Sequence, residues 1–297
     1  MVSQDVTSID LVVVGPTASG KTVWATEWAL KNNAEVVSAD SRQIYRRLEI
    51  GTAKPSRDIL NAVPHHLIDI LNPDQSYSAG TFCREARTAI LDVKSRGKKV
   101  VLVGGTGLYI RSLLFGILEL PDEDLLLKKS FFDLWGSKTA EELHEELTRR
   151  DPDRAKSLSV SDRYRVMRSL WLSEWMGIPP TKLFASRSLK GVPFNRIVGL
   201  DPGRHALCER IDKRVVSMMQ RGWCEEVQQL LANGCAPEDP AFRSLGYPEV
   251  LDCLKGKRGL EDTIAIVQRK TRQFAKRQMT WFRHMTPVEW IGNSTSV

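Results

Sequence analysis

Between positions 9 and 115, apolar residues come in short β-branched runs separated by stretches with helical spacing. Residues 9–14 form one such run and stop at a glycine-rich turn, after which 22–30 carry apolar residues at helical intervals. Runs at 35–38, 66–71 and 99–103 read as further strands, and 81–93 and 108–115 as helices. Apolar strands alternating with helices predict a parallel sheet covered on both faces. From 121 to 180 the pattern changes to charged helical segments, clearest at 141–150 and 163–175, with no convincing strand. A strand-like run returns at 195–200, and the rest reads as helical, with long elements at 204–231 and 263–282. The expected architecture is α/β: a core built from 1–120 and 191–297, interrupted by an all-helical insertion at 121–190.

Composition narrows the partners. The 297 residues are 42% hydrophobic, enough for an ordinary core. Lys and Arg number 43 against 36 Asp and Glu, a formal charge of +7 that favours polyanions, nucleic acid first. The five cysteines, Cys83, Cys208, Cys224, Cys235 and Cys253, have neither zinc-site nor disulfide spacing and read as thiols in a reducing compartment. Residues 1–10 are polar with no apolar signal core, and no apolar stretch approaches the ~20 residues that span a bilayer. A cytoplasmic protein without membrane segments is expected.

Candidate chemistry begins at Gly15-Pro16-Thr17-Ala18-Ser19-Gly20-Lys21-Thr22, a full match to G-x-x-x-x-G-K-[ST] between an expected strand and an expected helix. Such a P-loop-type turn aims backbone amides and a helix N-terminus at phosphate oxygens. Lys21 would neutralise phosphate charge and the Thr22 hydroxyl would reach Mg²⁺. The motif alone leaves ATP, GTP or another diphosphate open. The strand at 99–103 ends in Gly104-Gly105-Thr106-Gly107, without the acidic metal ligand usual in an NTPase. The acidic residue, Asp40, follows the second strand instead, at the carboxyl end of the sheet where ligands bind in open α/β folds. It reads either as a metal-holding or proton-accepting carboxylate, or as a turn cap.

Together these motifs resemble the tRNA dimethylallyltransferases (tRNA isopentenyltransferases). The matching stretches are 15–22, Ser38-Ala39-Asp40-Ser41-Arg42-Gln43-Ile44-Tyr45, Ile50-Gly51-Thr52-Ala53-Lys54-Pro55, and His65-His66-Leu67-Ile68-Asp69. Further matches are 103–111, Glu209-Arg210-Ile211-Asp212-Lys213-Arg214, and 271–282. The chain departs from the family pattern at Tyr164, where Gln is usual, and at Pro248, where Lys is common. It resembles the compact bacterial form, without a zinc-finger extension.

The resemblance implies transfer of a dimethylallyl group from dimethylallyl diphosphate to the exocyclic N6 of the tRNA adenine 3′ to the anticodon. Residues 15–22 would hold the diphosphate, with Mg²⁺ at Thr22 and a further cation from Arg210 or Arg214. Asp40 would be the general base, with Lys21 and Thr22 assisting the leaving group. Contacts to tRNA are implied for Asp40, Ser41, Arg42, Gln43 and Thr106, for Lys128, Tyr164, Arg165, Val166, Met167 and Arg168 in the insertion, and for Lys276 and Arg277. Residues 263–288 hold no Asp or Glu, and their one-signed charge suits a phosphate backbone. The insertion, with Arg149, Arg150, Arg154 and Arg163, is expected to clamp the anticodon stem. A monomer is expected.

Overall fold

The computed structural model describes residues 8–121, 125–186, 189–285 and 287–292. Most of the polar 1–10 segment lies outside them. The chain divides into two compact units, Met1–Phe115 with Gly191–Val297, and Gly116–Lys190. No helix among the described residues is long and apolar enough to cross a membrane.

The larger unit is organised by β1 (Leu11–Val14), α1 (Lys21–Asn32), β2 (Ala34–Ser38), α2 (Arg57–Ala62), β3 (His65–His66), α3 (Ala79–Ser95), β4 (Lys99–Gly104) and α4 (Gly107–Phe115). The second unit intervenes with α5 (Leu125–Trp135), α6 (Ala140–Arg150), α7 (Pro152–Lys156), α8 (Arg163–Met176) and α9 (Pro180–Ala185). The larger unit then resumes with β5 (Ile197–Leu200), α10 (Arg204–Gln220), α11 (Trp223–Ala232), α12 (Tyr247–Leu254), α13 (Leu260–Arg283) and β6 (Glu289–Ile291).

The six strands run parallel in the order β3-β2-β4-β1-β5-β6. Their β-branched residues are buried on both faces; Val13, Val36, Val101 and Val198 pack with Ala25 and Ala29 of α1. Register positions the site. Val14 lies opposite Gly104 and Ser38 opposite Val103, so the loops after β1, β4 and β2 leave the sheet at one level. Close approach requires Gly104 itself, since a Cβ there would lie 2.2 Å from the Ala39 carbonyl oxygen. A second cluster seats Trp223 and Phe242 edge-on to Tyr247, beneath Ile44 and Leu48.

Three expectations are corrected. The strand at 66–71 shortens to two residues, because Leu67 and Asp69 adopt left-handed backbone (φ 63° and 56°) that a ladder cannot continue. The single helix at 204–231 is two, parted at Gly222 with φ 94°. A strand, β6, follows the last helix where only helix was expected; at three residues beside β5 it is too short for alternation to register.

The helical unit has its own core, in which Phe131, Leu143, Leu147, Val166, Met167, Leu170 and Trp171 meet. Thr139 and Glu142 form a reciprocal cap at the start of α6, and Asp162 caps α8.

Candidate active site

A cleft of about 750 Å³ opens where the loops after β1, β2 and β4 converge, bordered further by α10 and α13. Residues 15–20 follow β1 and turn into α1. Gly20, at φ 92°, and Ala18, at φ 63°, give the alternating backbone that turns successive N–H groups to one side. Thr17, Ala18, Gly20, Lys21 and Thr22 line the cleft. Gly15, Pro16 and Ser19, expected at the diphosphate, are buried beneath this loop and absent from the lining. The reason is geometric: Pro16 has no N–H, and its carbonyl accepts Lys21 Nζ at 2.7 Å. Burial pushes the Lys21 ammonium down to about 8, against the opposing pull of Asp40 and with a further push from Arg214.

Among the described residues that line the cleft, Asp40 is the only carboxylate. Its Oδ1 accepts from Arg42 N at 2.8 Å and Gln43 N at 3.3 Å, so it caps the turn after β2. Its Oδ2 has no hydrogen-bond partner among the described residues. The turn-cap and proton-acceptor readings of this residue are thus compatible, one on each oxygen. Thr106 braces the same turn, its Oγ1 accepting from Ser41 N at 3.0 Å while its own N–H donates to Ala39 O. Arg42 lines the cleft, and Gln43 Nε2 is engaged by the carbonyls of Thr52 and Ala53 at 3.4 and 3.2 Å.

Of Arg210 and Arg214, both on α10, Arg214 points to the cradle: its guanidinium donates to Thr17 Oγ1 at 3.5 Å. Desolvation lowers its pKa, opposed by Asp40. Arg210 borders the cleft but is exposed. Farther along the same face, Val215 and Met218 lead to Trp223 and Val267, the apolar part of the lining.

Three residues not singled out by sequence reasoning build the site. Gln278 of α13 is buried, accepts from Thr17 N and donates to Gly105 O. Lys54 Nζ joins Glu49, Asp69 and the Tyr45 carbonyl and so ties the stretch at 50–55 to that at 65–69. Glu226 accepts from the amides of Glu49, Ile50 and Gly51 and from the Tyr247 hydroxyl.

The basic α13 is less free than its composition suggests. Lys270 pairs with Glu249, Arg272 with Asp212 and Arg283 with Asp201, carboxylates supplied by other elements. Lys276 and Arg277 border a second cavity of about 760 Å³ with Arg111, Trp281 and His284, and Arg277 borders both cavities. Phe282 is core, whereas Trp281 lines that second cavity.

In the helical unit, Tyr164 is 80% exposed and Arg165 is exposed beside Asp162, but Val166 and Met167 are buried in its core. Consecutive residues rotate about 100° around a helix, so 164–168 cannot share one face, and the expected tRNA contacts of Val166 and Met167 are withdrawn. Arg168 and Lys128 are half-buried. Arg150 and Arg154 brace the unit through Glu146, Glu174 and Ser169, and Arg163 through the carbonyls of Gly136 and Lys138. Arg149 pairs with Glu146 at the surface, a contact of ~0–1 kcal/mol that a phosphate could replace.

No group of three or more His, Cys, Asp or Glu among the described residues could hold a metal by protein side chains alone. The hydroxyl of Thr22 and the lone carboxylate of Asp40 on one cleft instead suit a hard cation that keeps waters and shares substrate phosphates.

A model of the IPP transferase family matches residues 43–285. The chain is 43% identical over 282 residues to tRNA dimethylallyltransferase 1 of Citrifermentans bemidjiense, covering 95% of this chain and 91% of that one. It is 39% identical to the tRNA dimethylallyltransferase of Macrococcus caseolyticus, with 96% and 90% covered. Among solved structures, the tRNA isopentenylpyrophosphate transferase of Bacillus halodurans gives a TM-score of 0.67 at 34% identity, covering 96% of this chain and 90% of that one. A eukaryotic dimethylallyltransferase acting on tRNA gives 0.82 at 29% identity, with 96% and 74% covered.

Proposed function

The chain belongs to the IPP transferase family of tRNA dimethylallyltransferases, and from that premise we propose that its cleft transfers a dimethylallyl group from dimethylallyl diphosphate to N6 of the adenine 3′ to the anticodon. The observation that carries this reading is Asp40: a single carboxylate, fixed through Oδ1 and open at Oδ2, on the cleft that also holds the phosphate cradle.

The amine of adenine is a weak nucleophile because its lone pair is delocalised into the ring. As N6 bonds to C1 of the prenyl group, the C1–O bond breaks and its electron pair leaves with diphosphate. Asp40 Oδ2 takes the N6 proton, a contribution of ~10²–10⁴-fold. Lys21, Arg214 and the first amides of α1 stabilise charge on the departing diphosphate. Mg²⁺ at Thr22 would supply additional charge neutralisation. The five-carbon group faces the wall of Val215, Met218, Trp223 and Val267. The adenine reaches the cleft unstacked from its loop. RNA phosphates are drawn to Lys276, Arg277 and Arg111, and to Tyr164, Arg165, Arg168 and Lys128 of the helical unit, which we assign as a clamp. Deleting 116–190 is expected to weaken anticodon stem-loop binding; unchanged affinity would remove the clamp.

The test is mass spectrometry of anticodon stem-loop RNA incubated with the protein, dimethylallyl diphosphate and Mg²⁺, with AMP as a competing acceptor. A prenylated adenine in the loop is expected. Nucleotide hydrolysis with unmodified RNA, or modification of AMP alone, would overturn the reading.

Lys21 makes diphosphate binding depend on pH. In the free protein the ammonium loses its proton near pH 8, and a bound anion stabilises the charged form. Once the ligand's own protonation is subtracted, affinity for pyrophosphate should therefore be level below that pH and fall above it by up to about tenfold per pH unit. Calorimetric titration from pH 6.5 to 9.5 checks this; an affinity that stays level throughout removes Lys21 from the diphosphate.

A further inference from the structure

We propose that Gln278 is a positioning residue that sets the distance between the diphosphate cradle and the Asp40 turn, an inference resting on the transfer reaction above. Its side chain joins two loops that are remote in sequence. Oε1 accepts from Thr17 N at 2.8 Å, and Nε2 donates to Gly105 O at 2.9 Å. Both partners are backbone groups of fixed polarity, one a donor and one an acceptor, so only this orientation of the amide satisfies them. Gln278 is 8% exposed, and without it the Gly105 carbonyl would be left buried and unsatisfied while the part-buried Thr17 amide would lose its acceptor.

The bridge continues in both directions. Thr17 belongs to the cradle, where N–H groups are ordinarily offered to phosphate. Here the Thr17 amide is turned to α13 instead, leaving the anion to the amides that follow, while the Thr17 hydroxyl faces Arg214. On the other side Gly105 precedes Thr106, whose Oγ1 takes Ser41 N at 3.0 Å, and Ser41 adjoins Asp40. Leaving-group site and base are thus connected through Thr17, Gln278, Gly105, Thr106 and Ser41. Space is fitted to the bridge as well: a Cβ on Gly105 would lie 2.4 Å from Gln278 Nε2.

Each substrate has its own contacts on its own loop, so loosening the bridge should leave the separate affinities nearly intact. What it should degrade is alignment of N6, C1 and Oδ2, for which a displacement of about 1 Å costs ~10²-fold in rate. A purely structural amide would instead lower stability in step with any loss of activity.

The experiment compares Gln278→Leu and Gln278→Glu with the wild-type chain. Leu keeps much of the volume and loses both hydrogen bonds; Glu keeps the acceptor and loses the donor. Pyrophosphate affinity, stem-loop affinity, melting temperature and single-turnover transfer are measured for each. Expected for Leu is a transfer rate lower by ~10²-fold with both affinities within about threefold of wild type. A rate within about threefold of wild type, or a loss accounted for by pyrophosphate affinity, overturns the inference. Gly105→Ala reaches the same bridge from its other end and should give the same split; unimpaired single turnover there also overturns it. The wild-type control separates this failure from that of the function: if wild type transfers nothing, the proposed reaction falls and the inference with it, whereas normal transfer by Gln278→Leu or by Gly105→Ala beside an active wild type sinks the inference alone.

Discussion

Asp40→Asn is expected to lower single-turnover transfer by about 10²–10⁴-fold, while stem-loop and pyrophosphate affinities stay within a few-fold of wild type. Asparagine is the informative replacement because Asp40 does two things. Its Oδ1 receives the amides of Arg42 and Gln43, a task an amide oxygen performs equally well. Its Oδ2 is the atom assigned to the proton, and there asparagine presents an NH₂ that cannot accept one. Alanine removes both and would confuse a misplaced turn with a missing base. A substantial rate retained by Asp40→Asn across pH 6–9 would assign the proton to another group and remove the central step of the proposed mechanism.

Replacing Glu226 with alanine is expected to destabilise the larger unit by about 2–3 kcal/mol, since it strips three partly buried amides and the buried Tyr247 hydroxyl of their acceptor. Three amides, of Glu49, Ile50 and Gly51, and the Tyr247 hydroxyl all converge on its two oxygens at 2.6–3.2 Å. Water recovers part of the loss where the loop meets the cleft. Glutamine does little better than alanine at the Oε2 side, where an NH₂ would confront two further donors or, on flipping, one donor and a hydroxyl. Urea denaturation of wild type, Glu226→Ala and Glu226→Gln measures this. A loss under about 1 kcal/mol would mean that the turn at 49–51 finds other acceptors and that Glu226 does not hold the wall.

Much of the fold was legible because the central strands β1, β4 and β5 are almost wholly apolar and rich in β-branched residues, a pattern that surface segments do not produce. The cradle and Asp40 were legible for a related reason: both fall just past the carboxyl ends of strands, and parallel neighbours bring such ends together. What escaped notice were partners supplied from a distance. Glu226 and Gln278 each interrupt an apolar helical stripe, between Trp223 and Val227, Leu230 in α11 and between Ala275 and Met279, Phe282 in α13. A polar group on a buried stripe must be satisfied, so the interruption was a signal, but it does not say which backbone groups it meets. The charge of α13 misled in the opposite direction. Local sequence shows Lys270, Arg272 and Arg283 without acidic neighbours, and only the fold brings Glu249, Asp212 and Asp201 to them. Burial of Val166 and Met167 was likewise hidden in a motif read as contiguous when helical rotation divides it between two faces.

Placement of the Gln278 bridge on α13 has a consequence for synthesis. During translation the cradle and the base emerge early, together with β1, β2 and β4, whereas the helix that spaces them is made after every other wall of the cleft. A ribosome-bound chain stopped before position 260 would carry both reacting loops without the bridge between them, so anticodon loops nearby would meet no competent catalyst until the final helix docks.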